Sequence, residues 1–225
     1  MNRIVQTEDG SRTIFNSELN ETYHSTHGAI AETNHIYIER GLKFAFDQFD
    51  CDSIALLEFG LGTGLNAIAS LHYVLKQQGK SIDYHAVEKF PLDSSIIHEL
   101  KYDANFSALS SLSILGQIHQ AIWNNSYQIH HQFCLTKYKS DFKDTLLPAN
   151  FFHLLYYDAF APSKQAEVWT PPYLEHAHAS LQQHGIFITY SASGALKRNL
   201  KAIGFEVENL PGPKGKREIT RAIKI

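Results

Sequence analysis

Seven residues, Ser53-Ile-Ala-Leu-Leu-Glu-Phe59, run with almost no polar interruption into Gly60-Leu-Gly62-Thr-Gly64. A continuous apolar run ending in glycines is the pattern of a central parallel strand buried on both faces, since a half-exposed strand would alternate. The glycines let the backbone turn sharply and approach a ligand closely. In open α/β sheets, ligands bind at this carboxyl end of a strand. Such a strand needs parallel neighbours, so the rest of the chain has to alternate strands with helices.

The spacing of the remaining apolar segments meets that requirement. A helix is expected over 64–78, a second strand over Ser81–Glu88, and a helix from Pro91 to Leu100. A polar helical segment follows at 107–119. Further strands are expected over Tyr127–Leu135, Phe151–Tyr157 and Gly185–Ser191, with helical stretches at 141–147, 171–183 and 194–202. Phe205–Leu210 and Ile219–Ile225 read as a closing antiparallel hairpin. At the other end, Asp9-Gly10 marks a turn between Ile4–Thr7 and Arg12–Phe15, and a helix is expected at 33–48. The fold class is α/β and Rossmann-like, a mostly parallel seven-stranded sheet with an antiparallel C-terminal hairpin. Residues 1–50 form an extension packed on a core of 51–225.

Composition narrows the function classes. A 225-residue chain with 44% hydrophobic and 19% charged residues builds one cored domain and is not a disordered chain. No window approaches the roughly 18 apolar residues of a membrane span, and Met1–Phe15 has no apolar targeting core, so a cytoplasmic setting is expected. Cys51 and Cys134 lack CxxC spacing, and the thirteen histidines lack ligand spacing, which leaves no metal site to predict. Residues 191–225 carry eight Lys/Arg against three acids, a surface suited either to solvent or to a polyanion.

The glycine loop reads GxGxG, not the dinucleotide GxGxxG, and Glu58 stands two residues before its first glycine. A carboxylate there repels a pyrophosphate and suits the cationic amino-acid end of S-adenosylmethionine. Gly60, Gly62, Gly64 and Glu58 are therefore the expected cofactor turn. Glu88, at the end of the second strand, is placed to accept both ribose hydroxyls, and Asp141, after the third, the adenine amino group. Asp158, in Tyr156-Tyr-Asp-Ala-Phe-Ala-Pro162, closes the fourth strand on the same edge of the sheet. The segment departs from the Asp/Asn/Ser-Pro-Pro-Tyr/Phe pattern of enzymes that methylate base-ring amino groups.

Four segments together carry a resemblance: Tyr23–His35, Leu57–Asn66, Asp158–Gln165 with Trp169-Thr170, and Leu210–Arg221 with its Gly-Lys-Arg-Glu turn. In this order, over nearly the whole chain, they resemble the methyltransferase domain of the MnmC-type tRNA 5-methylaminomethyl-2-thiouridine biosynthesis family. The resemblance is to the stand-alone form that lacks the FAD-dependent oxidase domain. It implies a cytoplasmic enzyme that transfers methyl from S-adenosylmethionine to the amine of 5-aminomethyl-(2-thio)uridine at the tRNA wobble position. It also implies a separate oxidase or other aminomethyl-forming enzyme acting upstream.

Amine methylation is an in-line displacement governed by positioning. Asp158 is the expected catalytic residue, accepting a hydrogen bond from the amine. Phe160 and Trp169, then Tyr173 and Tyr190, are the candidate surfaces for stacking a flipped base. Lys216 and Arg217 are the expected tRNA phosphate contacts, ahead of Lys197, Arg198 and Lys201. Glu32, Thr33 and Asn34 either close over the cofactor or cap a helix. Other readings stay open: a small-molecule amine methyltransferase or aminopropyltransferase, an NAD-dependent oxidoreductase, or a non-catalytic tRNA-binding module.

Overall fold

The computed structural model describes residues 2–106, 109 and 113–225. Strands β1 (Arg3–Gln6), β2 (Arg12–Asn16) and β3 (Glu21–Thr22) make a small antiparallel sheet around the expected turn. A helical rod follows, built of α1 (Ala29–Thr33), a π-helical stretch Asn34–Lys43 and α2 (Phe44–Phe49). The core then runs β4 (Ser53–Phe59), α3 (Leu65–Val74), β5 (Ser81–Val87), α4 (Ser94–Leu100), α5 (Ile114–Gln120), β6 (Ser126–His130) and β7 (Phe133–Tyr138). It closes with β8 (Phe152–Tyr157), α6 (Pro171–Ser180), β9 (Leu181–Thr189), α7 (Gly194–Ile203), β10 (Phe205–Pro211) and β11 (Glu218–Lys224).

These strands form an eight-stranded sheet in the order β10-β11-β9-β8-β4-β5-β7-β6, with only β6, β10 and β11 antiparallel to their neighbours. Strand β4 is central, and its alternate side chains feed two cores. Ile54 and Leu56 pack with α3 and the rod, while Ala55, Leu57 and Phe59 pack with α6 and α7. Each wholly buried Leu or Ile of this strand contributes about 1.5–3 kcal/mol. The chain moves outward from β4 through β5 and β7, then returns to build β8 and β9 on the other side. The reversal leaves a crevice where the carboxyl ends of β4 and β8 meet, the usual place for a ligand in an open α/β sheet.

Several boundaries differ from expectation, for local reasons. The expected third strand, Tyr127–Leu135, is a hairpin of β6 and β7, so the sheet has eight strands and not seven. One alternating apolar pattern spans both arms. The stretch at 141–147 holds only a 3-10 turn, Phe142–Asp144, which Asp141 caps by accepting from Lys143 N. Pro91 precedes its helix, and Asp93 caps α4 by accepting from Ser95 N at 2.8 Å. Strand β9 begins at Leu181, ahead of Gly185, and α6 ends accordingly at Ser180. Of the segment expected at 107–119, residues 107, 108 and 110–112 lie outside the described residues, and helix begins at Ile114. The rod begins at Ala29, not at residue 33. Among the described residues no helix is long and apolar enough to cross a membrane.

Candidate active site

A cavity of about 620 Å³ opens at the crevice between β4 and β8. Its floor is the glycine turn. Gly60 and Gly62 adopt φ of 91° and 49°, a left-handed backbone that disfavours a side chain. A Cβ on Gly60 would stand 2.9 Å from the Asp158 carbonyl, and one on Gly62 would stand 3.1 Å from the Tyr23 ring. Glu88 lines one wall and accepts from Gly62 N at 3.0 Å and Phe90 N at 2.7 Å, so its carboxylate is fixed by backbone. Burial raises its pKa against those bonds.

Asp158 lines the opposite wall, held by two donors that sequence reasoning passed over. Tyr37 Oη donates to Oδ1 at 2.6 Å, and Asn66 Nδ2 donates to Oδ2 at 2.7 Å. Tyr37 comes from the π-helical stretch and is 2% exposed. Asn66 is itself oriented, its Oδ1 accepting from Thr33 Oγ1 at 3.1 Å and its Nδ2 donating also to Glu58 Oε1 at 2.9 Å. Burial pushes the Asp158 carboxyl up to about 7, against the bonds from Tyr37 and Asn66. An acid poised near neutrality can share a proton with an amine at working pH.

Not every expected residue reaches the cavity. Glu58 is wholly buried and does not line it; it accepts from Tyr84 Oη at 2.8 Å and from Asn66, and burial pushes its pKa well above the usual carboxylate range. Strand alternation is the reason, because Glu58 shares the face of Ile54 and Leu56, beneath α3. It stands behind Asn66, off the cavity lining. Gly64 also lies off the cavity lining, as the left-handed N-cap of α3 with φ of 78°. Asp141 is off the lining as well. It pairs with Lys89 at 2.9 Å; burial raises its pKa, but the bonds from Lys89 and Tyr173 outweigh this and hold it low.

The aromatic candidates divide in the same way. Phe160 and Tyr190 line the cavity, Phe160 edge-on to Tyr23 at 4.8 Å. Trp169 is 6% exposed and donates Nε1 to Phe160 O at 2.8 Å, so it braces the Asp158 loop from the core and offers no stacking face. Tyr173 is likewise core. Lys216, expected on phosphate, turns into the cavity toward Glu32 at 3.2 Å, whereas Arg217 is exposed. Thr33 orients Asn66 and, at the N-cap of the π-helical stretch, makes no side-chain capping bond; Asn34 is exposed. The segment from Tyr23 passes over the glycine turn, with the half-buried His24 between Thr13 and Thr63 and its pKa pushed by desolvation down to about 4.

A parallel sheet that reverses at a glycine turn, with an acid ending the next strand and another closing the strand opposite, defines a Rossmann-like methyltransferase fold. The cavity suits S-adenosylmethionine on its own chemistry: bare backbone at Gly60 and Gly62, a fixed carboxylate at Glu88, and the further acids Glu32 and Asp158 facing a cationic ligand. Comparison with known proteins agrees. Residues 113–225 match the profile of an S-adenosyl-L-methionine-dependent methyltransferase family, and the chain belongs to that family.

Over 222 residues it is 27% identical to the tRNA 5-methylaminomethyl-2-thiouridine biosynthesis bifunctional protein MnmC of Marinomonas sp. (strain MWYL1), covering 95% of this chain and 32% of that protein. The chain thus spans about a third of the length of the curated relatives it matches. The crystal structure of MnmC2 from Aquifex aeolicus shares the fold with a TM-score of 0.75 at 23% identity, covering 99% of this chain and 70% of that one. Spermidine synthase from Thermotoga maritima shares it with a TM-score of 0.53 at 16% identity, covering 99% of this chain and 73% of that one.

Proposed function

We propose that the chain methylates the exocyclic amine of 5-aminomethyl-(2-thio)uridine at the wobble position of tRNA. The observation that carries this reading is Asp158, a carboxylate poised near neutrality at the rim of the cofactor cavity and held by Tyr37 and Asn66. Its support from relatives is the MnmC likeness over 95% of the chain. When bound, S-adenosylmethionine supplies the electrophilic methyl group. Glu88 would hold the ribose hydroxyls, and the backbone at Gly60 and Gly62 would let the amino-acid end lie close.

Asp158 accepts a hydrogen bond from the substrate nitrogen and takes up or relays the proton that the ammonium must lose before its lone pair can attack. Phe160 supplies an apolar face for the extruded base. Exposed Arg217, Arg198 and Lys201 are available to phosphates. Asp158→Asn is expected to cut turnover on aminomethyl tRNA about a hundredfold or more, with affinity for S-adenosylhomocysteine within a few-fold of the parent. Undiminished turnover would overturn the assignment of Asp158.

A further inference from the structure

The two acids that flank the substrate side of the cavity are not equivalent. Both oxygens of Asp158 already accept from fixed donors, Tyr37 and Asn66. Glu32 is 8% exposed and uses only Oε2 in a hydrogen bond, accepting from Ser25 N at 2.8 Å. Its Oε1 is buried and accepts no hydrogen bond; what faces it is the Lys216 ammonium, in an ion pair at 3.2 Å. The same ammonium lies 4.7 Å from the centre of the Tyr190 ring.

An acceptor oxygen facing an aromatic face is the pairing that recognises a primary ammonium, by charge and by cation–π attraction. Lys216 reaches it from the tight turn between β10 and β11, on a flexible side chain that can withdraw. Glu32, Tyr190 and Lys216 line the same cavity as Asp158, which puts this pairing on the side of the reacting position.

We infer that Glu32 and the face of Tyr190 form the subsite for the ammonium group of the substrate, and that Lys216 fills it until substrate displaces it. The inference rests on the function proposed above. It assigns first capture of the charged amine to Glu32 and leaves Asp158 to take up its proton and orient the neutral nitrogen. It also explains why a lysine expected on phosphate points inward.

The test measures binding of two anticodon stem-loops, one carrying 5-aminomethyluridine and one plain uridine at the wobble position, with S-adenosylhomocysteine present. The quantity read is the ratio of the two Kd values for the parent, Glu32→Gln and Lys216→Ala. Phosphate contacts cancel in this ratio. The parent should prefer the aminomethyl stem-loop, Glu32→Gln should lose about tenfold of that preference, and Lys216→Ala should increase it because the internal competitor is gone. A thermal unfolding transition like the parent's shows that each variant is folded.

A Glu32→Gln protein that keeps the parental ratio overturns the subsite. A Lys216→Ala protein that weakens both stem-loops equally makes Lys216 a phosphate contact and overturns the displacement. If the parent neither prefers nor methylates the aminomethyl stem-loop, the tRNA function fails. The subsite is then judged with propylamine, whose binding Glu32→Gln must weaken for the subsite to stand and whose unchanged binding overturns it.

Discussion

Replacing Tyr37 by Phe keeps the ring against Tyr156, 5.0 Å between centroids, and deletes only the hydroxyl that donates to Asp158. A hydrogen bond to a charged acceptor contributes about 1.5–3 kcal/mol, and each pKa unit corresponds to about 1.4 kcal/mol. The Asp158 pKa, pushed to about 7 in the intact site, should therefore rise by about one to two units. At pH 7 the ionised fraction falls from about a half to between about a tenth and a hundredth, so turnover there falls about five- to fiftyfold. The loss is recovered as pH is raised toward 9, because the acid limb moves to the alkaline side. The assay is kcat against pH for parent and variant on the same aminomethyl tRNA. Taking the ratio removes the titration of the substrate amine, which both proteins share. A ratio that is flat across pH refutes the claim that Tyr37 acts through the proton of Asp158.

Other expectations follow from the same geometry. The folded chain holds a proton on Asp158 between its ordinary value of 3.8 and about 7, which the unfolded chain has released. This contribution to stability is full below pH 4 and is lost as pH rises through 7. Asp158→Asn should therefore raise the Tm at pH 8 more than at pH 4, measured by thermal denaturation. Glu58→Gln should lower kcat while leaving affinity for S-adenosylhomocysteine within a few-fold by calorimetry, because Glu58 acts behind Asn66. Gly60→Ala should abolish cofactor binding or folding, because its Cβ would meet backbone. Gly62→Ala meets a tyrosine ring that can shift and should be the milder of the two by thermal shift with S-adenosylhomocysteine.

The sequence revealed the sheet because buried parallel strands announce themselves: Ser53–Phe59 and the end of Tyr157 are read without error from apolar runs alone. It concealed the β6–β7 hairpin, since a turn at residues 131–132 without Gly or Pro interrupts nothing in the pattern. In the site, chain position predicted which residues stand at the strand ends, and Gly60, Gly62, Glu88 and Asp158 line the cavity. Position could not tell which way a side chain points. Glu58 and Phe59 are neighbours on opposite faces of one strand, and the period of two puts Glu58 under α3. Tyr37 falls within the helix expected at 33–48, and Asn66 at the end of the glycine motif. Their roles depend on a helical rod crossing the sheet, a tertiary fact with no local signal, and Trp169 faces the core for a reason equally invisible in sequence.

The central claim is that this cavity delivers a methyl group to the wobble aminomethyl nitrogen. Labelled S-adenosylmethionine, incubated with tRNA bearing 5-aminomethyluridine, 5-carboxymethylaminomethyluridine or plain uridine at that position, followed by nucleoside mass spectrometry, tests it most directly. The account predicts 5-methylaminomethyluridine from the aminomethyl tRNA alone. Label on the plain or carboxymethylated tRNA, or none on the aminomethyl tRNA with S-adenosylhomocysteine bound, would contradict it.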